Sequence, residues 1–251
     1  MKIVTFNIRN QYDQDGIYAF VHRVGGIYDK IMAEKPDVVA FQEMTDRHLE
    51  LMERCFPEYL FVGILRHVGY TGEGLYIAVR RETCTLLGFE SIFLSPTPYE
   101  PFSRYEMQSR HPRVCVEAHL LHKATGKEMR IFDLHLDHRP TEAKMLGMKD
   151  TLSYIDSFQA KRVLPFALLG DFNVRPDTAE IALCNARTDM RDVTAHIDST
   201  FHKYGTVSAK IDYIYLTNDL ADRVVKVERW EDENAGIWLS DHYPVCAEID
   251  L

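Results

Sequence analysis

Apolar residues recur along this chain in two periods, one of two residues and one of three to four, and their alternation predicts an α/β architecture. Residues 2–8 alternate like a half-buried strand and end among Asn7, Arg9 and Asn10. Phe20, Val24, Ile27, Tyr28 and Ile31 then recur at helical spacing, and Pro36-Asp37 stops that helix. A short buried strand over 38–41 delivers Gln42-Glu43 at its end, and Thr45 is placed to cap a helix through Leu49, Met52 and Phe56. From 59 to 95 the pattern is β, in runs 60–65, 75–79 and 86–94, with the glycines of 69–74 marking a loop that carries Glu73. Residues 96–110 hold Pro96, Pro98 and Pro101 and read as a long loop. Its Tyr99, Phe102 and Tyr105 are either buried anchors or a specificity element for an aromatic group.

Strict alternation at Val114, Val116, Ala118 and Leu120 predicts a strand that turns at Ala124-Thr125-Gly126 into a second, over 129–136. That strand ends in His135-Leu136-Asp137-His138. Residues 141–158 form the clearest helix pattern, with Met145, Met148, Leu152 and Ile155 on one face. An apolar run over 163–169 reads as a buried strand that ends at Gly170, where the backbone can turn. One more extended step would point Asp171 and Asn173 the same way and Phe172 into the core. Asp177 with Glu180 starts a helix through Leu183, and 211–216 and 243–249 are strands. The order predicts one domain over 1–251: a four-layer α/β/β/α sandwich of two mainly antiparallel sheets packed face to face, with helices outside.

Composition narrows the class. The chain has 251 residues, 46% hydrophobic, enough for a sizeable core. It holds no apolar run of membrane-spanning length, so no membrane insertion is expected, and residues 1–7 turn polar too soon for a signal peptide. Five scattered cysteines without CxxC spacing argue against a disulfide framework or structural zinc and favour the cytoplasm. A formal charge of -9 argues against a basic patch for duplex DNA. It leaves room for a small phosphorylated substrate, because a metal ion can supply positive charge in an acidic site.

The chemistry sits at strand ends. Asn7, Glu43, His135, Asp171 with Asn173, Asp212 at a strand start, and Asp241-His242 before the last strand are metal-ligand or acid/base types directly flanking apolar strands. Any one of them alone is an ordinary turn former or cap. As a set, they are too uniformly carboxylate, amide and imidazole for turn-forming alone.

Thr5-Phe6-Asn7-Ile8-Arg9, Phe41-Gln42-Glu43, His135-Leu136-Asp137-His138, Gly170-Asp171-Phe172-Asn173, Ile211-Asp212-Tyr213-Ile214 and Ser240-Asp241-His242-Tyr243-Pro244-Val245 occur in this order from residue 5 to residue 245. Together they resemble the endonuclease/exonuclease/phosphatase superfamily, which has the deoxyribonuclease I fold. Thr200-Phe201-His202 further resembles a bacterial branch of it. The resemblance implies a phosphoesterase dependent on Mg2+, with Mn2+ as a substitute, acting on a phosphorylated small molecule or a nucleic acid. It implies Glu43 as the direct metal ligand, with Asn7 and Asp241 as outer or variable ligands. Asp171 would orient or deprotonate the attacking water, Asn173 would hold that water or a phosphate oxygen, and His242 would contact the phosphate, oriented by Asp212. His135 matches a histidine of the deoxyribonuclease I and sphingomyelinase branches that can protonate the leaving oxygen. Glu73 matches a glutamate that orients that histidine, and Arg9 matches a phosphate contact. Arg113 and His202 are further candidates for touching a substrate phosphate. Two other outcomes stay open: a DNA or RNA nuclease of the same fold, and a phosphate-ligand binding module without turnover.

Overall fold

The computed structural model describes residues 1–251 except Tyr12, Pro140, Thr141 and Asp232. The strands are β1 (Lys2–Asn7), β2 (Val38–Thr45), β3 (Tyr59–His67), β4 (Thr71–Arg80), β5 (Cys84–Phe93), β6 (Val114–His122), β7 (Lys127–His135), β8 (Phe166–Asp171), β9 (Met190–Asp192), β10 (Asp212–Thr217), β11 (Val224–Arg229), the short pair β12 (Glu233–Asn234) and β13 (Ile237–Trp238), and β14 (Val245–Ile249). The helices are α1 (Phe20–Glu34), α2 (Asp46–Cys55), α3 (Glu142–Lys161), α4 (Ala179–Asn185) and α5 (Asn218–Ala221). One six-stranded sheet has the order β11-β14-β1-β2-β4-β3 and the other β5-β6-β7-β8-β10-β9. Every pairing in them is antiparallel except β1–β2 and β7–β8.

Three apolar layers hold the sandwich together. Between the sheets, Ile3, Val38, Ala40, Ile77, Val116, Ile131, Leu169, Ile214 and Val245 are buried together. Alternate residues of the same strands face outward: Val4, Phe6, Val39 and Phe41 pack against Phe20, Ile27 and Ile31 of α1 and Met52 of α2. On the other side, Phe132, Leu168 and Tyr213 pack against Met148, Leu152 and Ile155 of α3. Strands buried on both faces explain why 38–41 and 166–169 read as unbroken apolar runs. Burying a side chain of this size contributes about 1.5–3 kcal/mol. A buried polar bridge crosses between the sheets where Gln42 Nε2 donates to Asp133 Oδ1 at 2.7 Å; within its own sheet Gln42 Nε2 also donates to Thr5 Oγ1 at 3.2 Å. Burial pushes the Asp133 carboxyl well above its ordinary range, against the pull of the Gln42 hydrogen bond.

Several expectations shift. Thr45 does cap α2, accepting from His48 N while its own N–H donates to His48 Nδ1. The strand before it does not stop at Phe41, however. It continues through a register shift between Phe41 and Met44, where Glu43 takes φ 62°. The segment 69–74 is mostly strand, since β4 begins at Thr71, so Glu73 stands on a strand rather than in a loop. Gly170 lies inside β8, and its need is for close approach: a Cβ there would sit 1.9 Å from Leu134 O. The helix expected from Asp177 starts at Ala179. α3 is described from Glu142, so the predicted start at Thr141 lies outside the described residues. Among the described residues no helix is long and apolar enough to cross a membrane, and the five cysteines are free thiols.

Candidate active site

Each sheet has one parallel strand pair near its centre, and both pairs end at the same edge of the sandwich. β1 and β2 bring Asn7 and Glu43 there, β7 and β8 bring His135 and Asp171, and β10 starts there with Asp212. Strand register does the fine placement: His135 is paired with Asp171 across β7–β8, and Asp212 with Asp171 across β10–β8. Asp171 thus has a candidate residue beside it on each neighbouring strand. The segment before β14 adds Asp241 and His242. Glu43, His135, Asp171, Asp241 and His242 line one cleft of about 350 Å3, together with Arg9, Arg66, Glu73, His111, Arg113, His138, Asn173, Phe201 and Ile211, while Asn7 and Asp212 are buried just behind its wall.

Asp171 is the hub. Its Oδ2 accepts from Asn7 Nδ2 at 3.1 Å and lies 3.6 Å from His135 Nε2 and 3.8 Å from His242 Nε2. Its Oδ1 accepts from Asn173 N at 2.8 Å. Burial, then the charge of Asp212, raises the Asp171 carboxyl to about 7. His242 Nδ1 lies 3.0 Å from Asp212 Oδ2, which also accepts from Thr200 Oγ1 at 2.6 Å. Burial alone would lower the imidazole, but Asp212 and then Asp171 outweigh it and raise His242 to about 10. His242 is therefore an imidazolium at neutral pH. His135 is the opposite case. Burial, with Arg113 and Arg66 nearby, holds it well below the ordinary histidine range, and its Nδ1 has no hydrogen-bond partner among the described residues.

Glu43 faces the cleft from the opposite sheet. Its Oε2 accepts from Asn10 N at 2.9 Å and its Oε1 from Asn7 Nδ2 at 3.2 Å. Burial and the neighbouring Glu73 and Asp241 carboxylates raise its pKa. Three carboxylates gathered this closely, met mainly by Arg9 and Arg66, form an oxygen-donor set that fits a hard divalent cation. Asn7 is spent differently from a direct ligand. Its Nδ2 bridges Glu43 and Asp171, and its Oδ1 accepts from Arg9 N at 3.0 Å. Asp171, Asp212 and His242 also present ligand atoms within 4.8 Å of one another. A cation there would have to displace the proton that Asp212 holds on His242, so the Glu43 side suits a hard divalent cation better.

Not every candidate falls where the sequence suggested. Glu73 does not orient His135; it accepts from Asn10 Nδ2 at 2.5 Å and pairs with Arg66. His202 is buried against Trp238 and Tyr243, with ring centroids 4.5 and 4.3 Å away, and supports the wall instead of facing the cleft. Arg9 lines the cleft but is held bidentately by Asp15 at 3.1 and 3.2 Å, with Asp241 Oδ2 at 3.4 Å. Asn173 does not continue the strand. It takes φ 53°, and its Nδ2 donates to Leu136 O at 3.1 Å. Phe102 packs on Phe93 and Tyr70, and Tyr105 is anchored to Asp150 at 2.8 Å, so these two serve as anchors, whereas Tyr99 is exposed. Sequence reading missed Arg66, His111 and Phe201, which line the cleft. Arg66 carries the one signal available, a charge inside an otherwise apolar strand. It also missed Arg23, a buried helix arginine that donates to Ile8 O at 2.7 Å and Leu239 O at 2.6 Å, fastening together the segments that carry Arg9 and Asp241.

Known structures share this fold over nearly their full length. The endonuclease/exonuclease/phosphatase from Bacteroides vulgatus is 26% identical, with 99% of this chain and 98% of that one covered and a TM-score of 0.89. The mannosyl-6-phosphatase of Bacteroides thetaiotaomicron is 22% identical, with both chains fully covered and a TM-score of 0.90. D. rerio TDP2, in a complex with a single-strand DNA product, is 17% identical, covering 98% and 97%, with a TM-score of 0.74. No curated protein matches the chain by sequence. The family model of the endonuclease/exonuclease/phosphatase family matches residues 4–242. With that match spanning all the strand-end groups of the cleft, the chain belongs to the endonuclease/exonuclease/phosphatase family, whose members are hydrolases of phosphoester bonds.

Proposed function

We propose that this chain is a Mg2+-dependent, cytoplasmic hydrolase of phosphoric esters that acts on a small phosphorylated molecule. The observation that carries this reading is the placing of one carboxylate, Asp171, between a charged histidine and a neutral one. Glu43 would hold the metal, with Asp241 and Asn7 as outer partners. When bound, Mg2+ (or Mn2+) supplies Lewis-acid charge to a phosphate oxygen. The protein's own groups do the rest. Asp171 accepts a proton from the attacking water, and Asn7 and Asn173 N fix its two oxygens for that task. The His242 imidazolium, steadied by Asp212 and Thr200, donates a hydrogen bond to the developing phosphate charge and is the acid with a proton to give. His135, neutral in the free protein, serves as a hydrogen-bond donor to the phosphate. This moves the acid role away from His135, where the resemblance put it.

The size and polarity of the cleft favour a small ester over a nucleic-acid strand: among its lining residues Phe201 is the one phenyl, phenol or indole ring on which a base could stack. The test is hydrolysis of p-nitrophenyl phosphate and bis-p-nitrophenyl phosphate with Mg2+ and Mn2+, run beside single-strand DNA and RNA. Asp171→Ala should lower kcat by about 10³-fold. Full activity in that variant would sink the mechanism. Cleavage of DNA or RNA in preference to the small esters would make the chain a nuclease, and inactivity on everything with retained phosphate binding would make it a binding module. Glu43→Ala should raise the Mg2+ concentration needed for half activity, and identical metal titrations would remove Glu43 as the ligand.

A further inference from the structure

One end of the cleft holds more positive charge than a single phosphate group calls for. The reacting ester already has a cation from the protein, His242, and an acidic cluster fitted to a metal. Beyond them, towards β3 and β6, stand Arg66 and Arg113 with His67, His111 and His138. Arg113 is 3% exposed and Arg66 2% exposed. Arg113 Nε and Nη1 have no hydrogen-bond partner among the described residues. Arg113 Nη2 faces His138 Nδ1 at 3.1 Å, and the closest carboxylate oxygen paired with it, Asp137 Oδ1, is 3.7 Å away. That carboxylate is already committed, since Asp137 accepts from Ser109 N and, at 3.2 Å, from Arg139 N. Arg66 pairs with Glu73 but leaves its Nε unpartnered.

A guanidinium buried with open donors is destabilising unless an anion meets it. Burial and the neighbouring Arg66 bring Arg113 down to about 9, still cationic at neutral pH. The histidines add donors without charge. His67 Nε2 and His111 Nδ1 are 2.8 Å apart, and burial and Arg66 hold both below the ordinary range, His111 down to about 4. The charge of this end of the cleft therefore comes from the two arginines, whose forked donors match a phosphate or a carboxylate.

We propose that Arg66 and Arg113, with His111 and His138, form a second anion subsite that takes a phosphate or carboxylate carried by the same substrate as the ester being hydrolysed. The inference rests on the phosphoesterase reading and narrows its substrate class to compact sugar or polyol esters with two anionic groups. The shortage of aromatic lining agrees with a polyol body between them.

The test compares matched pairs, glucose 6-phosphate against 6-phosphogluconate and fructose 6-phosphate against fructose 1,6-bisphosphate. Both KM and, in the inactive Asp171→Asn background, equilibrium binding by calorimetry are measured. The two-anion member of at least one pair should bind about tenfold or more tightly than its partner. Arg113→Gln and Arg66→Gln should shrink that ratio towards one, and Arg113→Lys should restore part of it. Absence of any preference in the wild-type background overturns the proposal, and so does an equal loss for one-anion and two-anion ligands in the variants, which would assign the arginines to the reacting phosphate. If a glutamine variant does not fold, the wild-type ratio and the lysine variant decide. Binding preference without hydrolysis by the active chain would keep the subsite and reject the phosphoesterase reading, so the two failures are distinguishable.

Discussion

His242 and His135 stand on two sides of one carboxylate, 3.8 and 3.6 Å from Asp171 Oδ2. Burial acts on both in the same direction, against the charged form. They end up in opposite states because of what stands behind each ring. Behind His242 is Asp212, itself fixed by Thr200, and the imidazole is charged. Behind His135 are Arg113 and Arg66, and the imidazole is neutral. The chemistry available from a histidine is thus set by the group on its far side, which orients it and fixes its charge before substrate arrives. The same comparison divides the cleft. One end holds a charged imidazole beside a carboxylate, and the other holds two buried arginines.

The largest expected effect separates the two rings directly. His242→Ala should lower kcat by about 10³-fold, and His135→Ala by about tenfold to a hundredfold, because only the first removes a charged donor. Steady-state kinetics on p-nitrophenyl phosphate at saturating Mg2+ measures both, and equal losses would erase the distinction. Next comes Asp212→Asn, with an expected loss of about 10²-fold. In the metal-free protein, NMR titration should find His242 protonated up to about 10, and the variant should bring it down towards the ordinary value of 6.5. The sign for stability follows. A histidine raised in the folded state contributes stability that is complete below 6.5 and is lost as pH rises through about 10, so the variant should lose stability at pH 6 and converge with the parent at high pH. A variant whose stability deficit grows with pH would contradict the pairing. The smallest effect is at Thr200. Thr200→Val removes the 2.6 Å bond to Asp212 and should cost about threefold to tenfold in kcat, with KM little changed. A change confined to KM would mean that Thr200 shapes the pocket wall and does not position Asp212.

Much of this site was legible because its residues flank apolar strands in a recognisable order. Glu43, His135, Asp171, Asp241 and His242 all reach one cleft, with Asn7 and Asp212 bonded to them from behind its wall. Glu43 and Asn173 were placed less well. Both take positive φ, at 62° and 53°, where the extended backbone expected from alternation gives way to a bulge or a turn. Glu73 was misplaced for a related reason: three glycines around it read as a loop, although Gly74 is needed because its position lies against the β3 backbone, with Ile64 O 2.1 Å from where a Cβ would stand. Arg66, His111 and Arg113 have no shared motif, and what joins them is the packing of one sheet on the other.

The sequence alone determined the layered α/β sandwich, because two-faced burial writes apolar runs and one-faced burial writes alternation. It also determined the family, because the strand-end motifs keep their order. Tertiary structure alone decided which histidine is charged, which carboxylate holds it, and where two buried arginines meet. Those outcomes depend on distances of 3 to 4 Å between residues far apart in sequence, and electrostatic interaction across such distances in a buried site is steep enough to reverse the effect of burial itself.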